Sequence, residues 1–311
     1  MTSDDGILWN SQSVSAAPTA QLFGIATNGS RWVAVGVDSN DGTTPIIVSS
    51  DDGGLMWTAR TANPATNAVL MGVAWSGSAF VAVGNDGSTG PIVMTSPDGG
   101  TWTARTSDPT TNVKWSSVSA VSGLAVAVGW NSSNVPKIMT SANDGASWTT
   151  RTSAPTTQRQ LNGVVCTASL AVAVGLPTSG TTTPIQSSPT GTTWTAKTGD
   201  PSTGVDLYGI GHNGSLFIAV GTDHALQIDP KIMTSPDGNT WTARTPDPSS
   251  GGGGGINLLG VASSGGVAVA VGRDQGFNAS FIMSSADGMT WTARSPDPSG
   301  GTLLFAVAGA L

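Results

Sequence analysis

The chain has 311 residues, of which 42 are Gly and 18 Pro, while only 10% are charged and Glu is absent. No run of about 18 consecutive apolar residues occurs, which excludes a hydrophobic membrane-spanning helix, and 38% hydrophobic residues at regular intervals exclude a disordered chain. The formal charge of −7 speaks against nucleic acid and against an anionic membrane surface as partners.

The elements recur with a fixed period. Trp9, Trp57, Trp102, Trp148, Trp194, Trp241 and Trp291 follow one another at 48, 45, 46, 46, 47 and 50 residues. Met1 to Gly6 has no basic n-region and no apolar h-region, so no Sec signal peptide is expected. Trp9 opens a lone strand. Thirteen residues later Leu22 starts the first full repeat, with Gly24 two positions on and Gly36 closing a Val-Ala-Val-Gly phrase. The connection that follows carries Asp38 and Asp41. The second repeat runs from Leu70 through Gly72 and Gly84, with Asp86 in the same connection, to Trp102. The third opens on Trp115, predicted to be core, and places Trp130 and Asn131 after Gly129. The fourth starts at Leu161. Its Cys166, the only cysteine, sits in an apolar run and reads as a small buried hydrophobe rather than a nucleophile. The fifth starts at Leu207 and carries Tyr208, Asp206, His212, Asp223, His224 and Asp229. The sixth starts at Leu258, after a flexible insertion at Gly251 to Gly255, and carries Asp274. Finally Leu303 to Ala308 reads as one more first strand.

Each repeat yields four short β-branched strands punctuated by Gly, Pro, Asn and Asp, with no helical periodicity. A period near 46 residues selects a β-propeller among all-β architectures. The expected fold is a single domain, residues 1–311, of four-stranded antiparallel blades. Seven blade positions are predicted, the seventh incomplete and built from both termini; the alternative is six blades with terminal strands on the edge. The small residues Gly24, Gly72, Ser117, Gly163, Gly209, Gly260 and Ala306 are explained by inner strands converging on an axis.

The turn before each Trp is the most specific motif: Ser96-Pro97-Asp98-Gly99-Gly100-Thr101-Trp102, Ser235 to Trp241, Ser285 to Trp291, and the longer Ser50-Asp51-Asp52-Gly53-Gly54-Leu55-Met56-Trp57. Asp accepts backbone N–H groups and Gly takes positive φ. In the fourth copy Thr190 replaces Asp, which predicts a weaker turn. The phrase resembles the Asp-box, or BNR, repeat of sialidase-like propellers, and tandem copies of this form resemble structural or adhesive components of phage virions. That resemblance implies a propeller along nearly the whole chain; it covers both enzymes and non-enzymes.

The resemblance to sialidases fails at the chemistry. Such enzymes need a Tyr/Glu nucleophile pair, an acid/base and three Arg, whereas Glu is absent and Tyr208 is the only Tyr. Arg60, Arg105, Arg151, Arg244 and Arg294, with Lys197, all stand three residues after the repeat Trp, the pattern of a charged outer edge; only Arg31, Arg159 and Arg273 are off this register. An Asp-pair glycosidase is the least favoured class. Asp200, Asp247 and Asp297, like Asp108, precede Pro in the crossovers between repeats. Asp38, Asp41, Asp86, Asp223 and Asp274 fall in the variable connections and are candidate ligand contacts, with polar loop filler as the competing reading. Trp130 beside Asn131 is either a platform for a sugar ring or a lid on its own blade. No metal or cofactor is expected. The resulting expectation is a non-enzymatic structural or receptor-binding subunit of a virion, joined to other subunits or to itself through terminal strands. The alternative is a carbohydrate-binding propeller of a bacterial surface protein, which takes glycan.

Overall fold

The computed structural model describes residues 1–63, 67–88, 90–108, 112–154, 158–177, 185–197, 204–223, 229–244, 255–274, 279–294 and 304–309. His224, Asp200, Asp247, Asp297, Leu303 and residues 251–254 lie outside them, as do the side chains of Arg159 and Asp229.

Six antiparallel four-stranded meanders form. Blade one comprises β1 (Ala20–Thr27), β2 (Trp32–Asp38), β3 (Pro45–Ser50) and β4 (Thr58–Arg60). Blade two comprises β5 (Val69–Trp75), β6 (Phe80–Asn85), β7 (Pro91–Ser96) and β8 (Thr103–Arg105). Blade three comprises β9 (Val113–Val121), β10 (Leu124–Asn131), β11 (Pro136–Ser141) and β12 (Thr149–Arg151). Blade four comprises β13 (Gln158–Cys166), β14 (Ala171–Pro177), β15 (Ile185–Ser188) and β16 (Thr195–Lys197). Blade five comprises β17 (Val205–His212), β18 (Phe217–Asp223), β19 (Asp229–Ser235) and β20 (Thr242–Arg244). Blade six comprises β21 (Ile256–Ser264), β22 (Val267–Asp274), β23 (Ser280–Ser285) and β24 (Thr292–Arg294).

The second strands are apolar on both faces because a neighbouring blade covers each face. Val35, Val83, Val128, Val174 and Val220 have no exposed surface. Each repeat Trp from Trp102 onward is buried between its own blade and the one before it; Trp102, for example, packs among Val33, Val35 and Ile47 of blade one and Phe80 and Met94 of blade two.

Every first strand carries a bulge between its apolar opener and its small residue, as between Leu22 and Gly24 or Leu207 and Gly209. The extra residue, Phe23 or Tyr208 in these two, lines the axial channel. The bulge also explains the glycine that closes each second strand: a Cβ on Gly36 would overlap the carbonyl oxygen of Gln21. At the axis the small residues are required by close approach. A Cβ on Gly24 would lie 2.9 Å from Gly72 Cα, and one on Gly260 3.2 Å from Ala306 Cα.

The sheets match the six-blade alternative, and no seventh sheet forms among the described residues. Of the strand expected over Leu303 to Ala308, the described part, Leu304 to Ala308, has no ladder, and the segment at Trp9 keeps only the bridge between Thr2 and Asn10. The inner strands nevertheless leave a seventh interval. They pack in sequence from β1 on β5 to β17 on β21, with no comparable packing of β21 on β1. Phe305 fills that step, its ring 5.3 Å from Phe23 and its carbonyl against Gly260.

Candidate functional site

The connections between second and third strands share a face with the crossovers between blades. Ala68 N–H donates to Thr43 O at 2.9 Å, and Ser39 N–H donates to Thr19 O at 2.9 Å. On this face the candidate carboxylates close their own loops. Asp38 Oδ1 accepts from Asn40 N–H at 2.9 Å. Asp41 accepts from the N–H groups of Thr43 and Thr44 and from Thr44 Oγ1 at 2.7 Å, and these bonds hold its carboxyl down at about 2. Asp86 Oδ1 accepts from Ser88 and Gly90 N–H, both at 2.9 Å. Asp274 Oδ1 accepts from Ala279 N–H at 3.1 Å. Asp38, Asp223 and Asp274 are each the last residue of a second strand, and Asp223 alone of these is buried, where it pairs with Lys231 Nζ at 3.3 Å. No three His, Cys or acidic side chains gather as metal ligands among the described residues.

Trp130 and Asn131 likewise belong to β10 rather than to the connection beyond it. Asn131 Oδ1 accepts from Ser133 N–H at 3.1 Å and Val135 N–H at 2.8 Å. Trp130 lines an axial channel of about 310 Å³, whose wall is built from the bulged first strands and Phe305 to Val307. Tyr208 is half-buried there, its phenol pushed up to about 12 by burial and by Asp206. Trp115 is fully buried and donates Nε1–H to Ser107 Oγ at 3.0 Å. Cys166 is a buried free thiol raised to about 12 by desolvation, which leaves no thiolate for catalysis.

The arginines of the outer strands stay within their blades. Arg60, Arg105, Arg151 and Arg294 donate Nε–H at 2.8 Å to Ser49, Thr95, Thr140 and Ser284, and Arg244 donates to Thr234 at 2.7 Å. Arg31 clamps Asp51 through Nε and Nη2 at 2.6 and 2.7 Å and reaches the Asp98 carbonyl at 2.6 Å, tying the turns of blades one and two.

A larger cavity, of about 530 Å³, lies in the seventh interval. Leu304–Ala308 forms its inner wall, Met1, Thr2, Trp9 and Gln12 its outer wall, and Ala34, Trp57 and Val271 its sides. None of its described lining side chains is charged. The repeat spacing left this interval short of a second strand. It did not reveal that the terminal segments hold the two walls apart and leave an open cleft.

No family model matches the chain, and no curated protein sequence matches it. Solved structures similar in fold include YCF48 bound to D1 peptide, at 19% identity and TM-score 0.60, covering 92% of this chain and 84% of that one. YjhT is similar at 12% identity and TM-score 0.61, covering 91% and 99%. The Niastella koreensis GH74 enzyme is similar at 16% identity and TM-score 0.60, covering 89% of this chain but 47% of that one. These similarities establish the β-propeller fold.

Proposed function

We propose that the chain is a non-enzymatic propeller subunit of a phage or virus-like particle, holding other protein chains at its ring closure and offering its loop face to a receptor. The observation that carries this reading is the cleft of about 530 Å³ in the seventh interval, which no charged side chain lines and whose wall includes the segment Leu304–Ala308, which has no ladder. Such a surface suits polypeptide association, and its lining side chains include no carboxylate, imidazole or thiol; the ionisable group there is the partly buried Met1 α-amino group, its pKa lowered by desolvation. The Ser-x-Asp turns resemble Asp-box turns, and tandem copies of this form resemble structural or adhesive components of phage virions, which supports the particle reading. The YCF48 structure with its peptide supports protein ligands for a propeller of this shape. The GH74 neighbour is an enzyme, but here Asp38, Asp41, Asp86 and Asp274 each accept from their own connection and Asp223 is paired with Lys231.

Mass spectrometry of purified particles tests the reading. The chain is expected in fixed ratio to the known particle proteins, and clean protein is expected to hydrolyse no polysaccharide. Absence from particles with recovery from a host-surface fraction overturns it in favour of a carbohydrate-binding surface propeller. Trp130 at the channel favours that second reading, which predicts glycan-array binding lost in Trp130→Ala.

A further inference from the structure

The seventh interval has the inner and outer parts of a blade. Leu304–Gly309 stands where first strands stand, because Phe305 to Val307 line the channel beside the six bulged strands. The Thr2–Asn10 bridge repeats the pairing of Thr95 with Thr103 and of Thr234 with Thr242. Met1 and Thr2 therefore sit at the end of a third-strand position, and Asn10 at the start of a fourth. The cleft between them is the place of a second strand.

Packing shows what is missing there. Each turn glycine faces the second strand, or its leading turn, of the preceding blade: Gly99 meets Val33, Gly145 meets Val81, Gly238 meets Val172, and Gly6 meets Val267 and Val269. Gly54 of blade one meets Thr2 instead. Trp57 beside it is only half-buried, while Trp102, Trp194, Trp241 and Trp291 are buried. The cluster at blade one contains Ala34, Val48 and Trp57 but lacks the two valines and the isoleucine that Val33, Val35 and Ile47 supply to the next cluster.

The turn tips give a second, independent sign. Leu55 and Met56 of blade one are 58% and 74% exposed, Ile7 and Leu8 of the terminal turn 43% and 73%, and Met289 of blade six 45%. The first two of these turns border the cleft through Gly53, Gly54 and Ser3, whereas the blade-six turn packs on blade five through Gly288. The same tips on blades two to five carry Gly100 and Thr101, Ala146 and Ser147, Thr192 and Thr193, Asn239 and Thr240. The two turns that carry a pair of exposed apolar tips thus stand at the unfilled interval.

Resting on the proposed role in protein association, we infer that the cleft binds one extended strand of a different protein, of the pattern aromatic or aliphatic–Val–Ala–Val–Gly, antiparallel to Leu304–Gly309. The resident register places its glycine opposite Leu304 and its first valine opposite Ala308, as Gly36 lies opposite Leu22 and Val33 opposite Ala26. The valines then cover Trp57 and Ala34, and the alanine faces Val271. From a rise of about 3.3 Å, strand spacing of about 4.8 Å and sheet spacing of about 10 Å, a strand takes roughly 160 Å³ per residue. A cleft of about 530 Å³ accordingly encloses three or four residues, the Val-Ala-Val-Gly part of that pattern, with the leading aromatic or aliphatic residue at its mouth. A second copy of this chain does not fit the description: its six second strands are each paired on both edges.

The test is calorimetric titration of the full chain with a peptide copying Phe80-Val81-Ala82-Val83-Gly84 between solubilising lysines, with hydrogen exchange to locate it. One site per chain is expected, with amides of 304–309 slowed at least tenfold. A scrambled peptide and the rim variant Val14→Asp are each expected to bind at least tenfold more weakly. Equal binding of the scrambled peptide, protection elsewhere, or no saturable binding at millimolar peptide overturns the inference. So does a dimer by light scattering with 304–309 already protected, which makes a second copy the occupant. Peptide binding by a chain absent from particles would refute only the particle role, and a chain found in particles that ignores the peptide would refute only the strand site.

Discussion

Ser188 Oγ is buried without a hydrogen-bond partner because Thr190 stands where the other turns carry a carboxylate or amide. In the second copy Ser96 Oγ donates to Asp98 Oδ1 at 2.9 Å, and Asp98 also accepts from Gly100 and Thr101 N–H at 2.8 and 2.9 Å. Thr190 Oγ1 offers a hydroxyl contact with Thr192 at 2.6 Å and a long bond from Thr192 N–H at 3.4 Å. The weaker turn was legible in the sequence from the single letter change. The third copy was not: Asn143, rather than the neighbouring Asp144, takes the acceptor role, because this turn is one residue longer and Asp144 is used at φ 55°. Thr190→Asp is predicted to stabilise the fold by about 1 kcal/mol, satisfying Ser188, and to raise Tm by about 2 °C. The gain has a pH signature. Asp98, Asp237 and Asp287 are held at about 2 by backbone N–H donors, below their ordinary 3.8. A folded pKa below the unfolded one gives stability that is complete above pH 4 and fades as pH falls through 2. Thermal melts of both proteins between pH 2 and 7 should show the difference shrinking in that window. A difference unchanged at pH 2 would assign the gain to something other than the carboxylate.

At the scale of the blade, the interval of fourteen residues from apolar opener to closing glycine fixes the first hairpin, and it was readable because a β ladder tolerates no change of register. The bulge that makes Gly36 obligatory was not readable, since it needs the partner strand to be seen. For the same reason Asp38, Asp223, Asp274 and Trp130 looked like loop residues: the second strands run past the glycine by one or two positions. The blade also separates two otherwise equivalent tryptophans. Trp241 is 3% exposed and packs among Val172 and Val174 of blade four and Phe217 and Met233 of blade five. Trp57 has the same place in the repeat but borders the cleft. Trp241→Ala should cost about 3–5 kcal/mol, as a large buried ring does, and Trp57→Ala about half as much. Urea unfolding of the two variants measures this directly. Equal losses would mean that the cleft closes on Trp57 in solution.

The whole ring is a chain of neighbour contacts with one thin step. Inner strands press on each other from blade one to blade six, and around the remaining step only Leu304–Gly309 and the first residues of the chain stand between β21 and β1. In a closed ring each blade is buttressed on two sides; blades one and six have a full neighbour on one side and the cleft on the other. Local opening follows the number of buried partners a segment has. Amide exchange on the free chain is therefore predicted to be fastest, among the elements that build the channel wall, in Leu304–Gly309, whose N–H groups have no ladder. It should be faster in β1 and β21 than in β9, β13 and β17 on the far side of the ring. The slowest amides should lie in β10, β14 and β18, paired on both edges and covered by blades on both faces. Exchange followed by mass spectrometry at peptide resolution checks the order. Protection of 304–309 equal to that of β13 in a monomer would show the interval already filled from within. A gradient falling toward the cleft from both sides would identify it as the place where the ring opens, and where an added strand stabilises the most structure per residue bound.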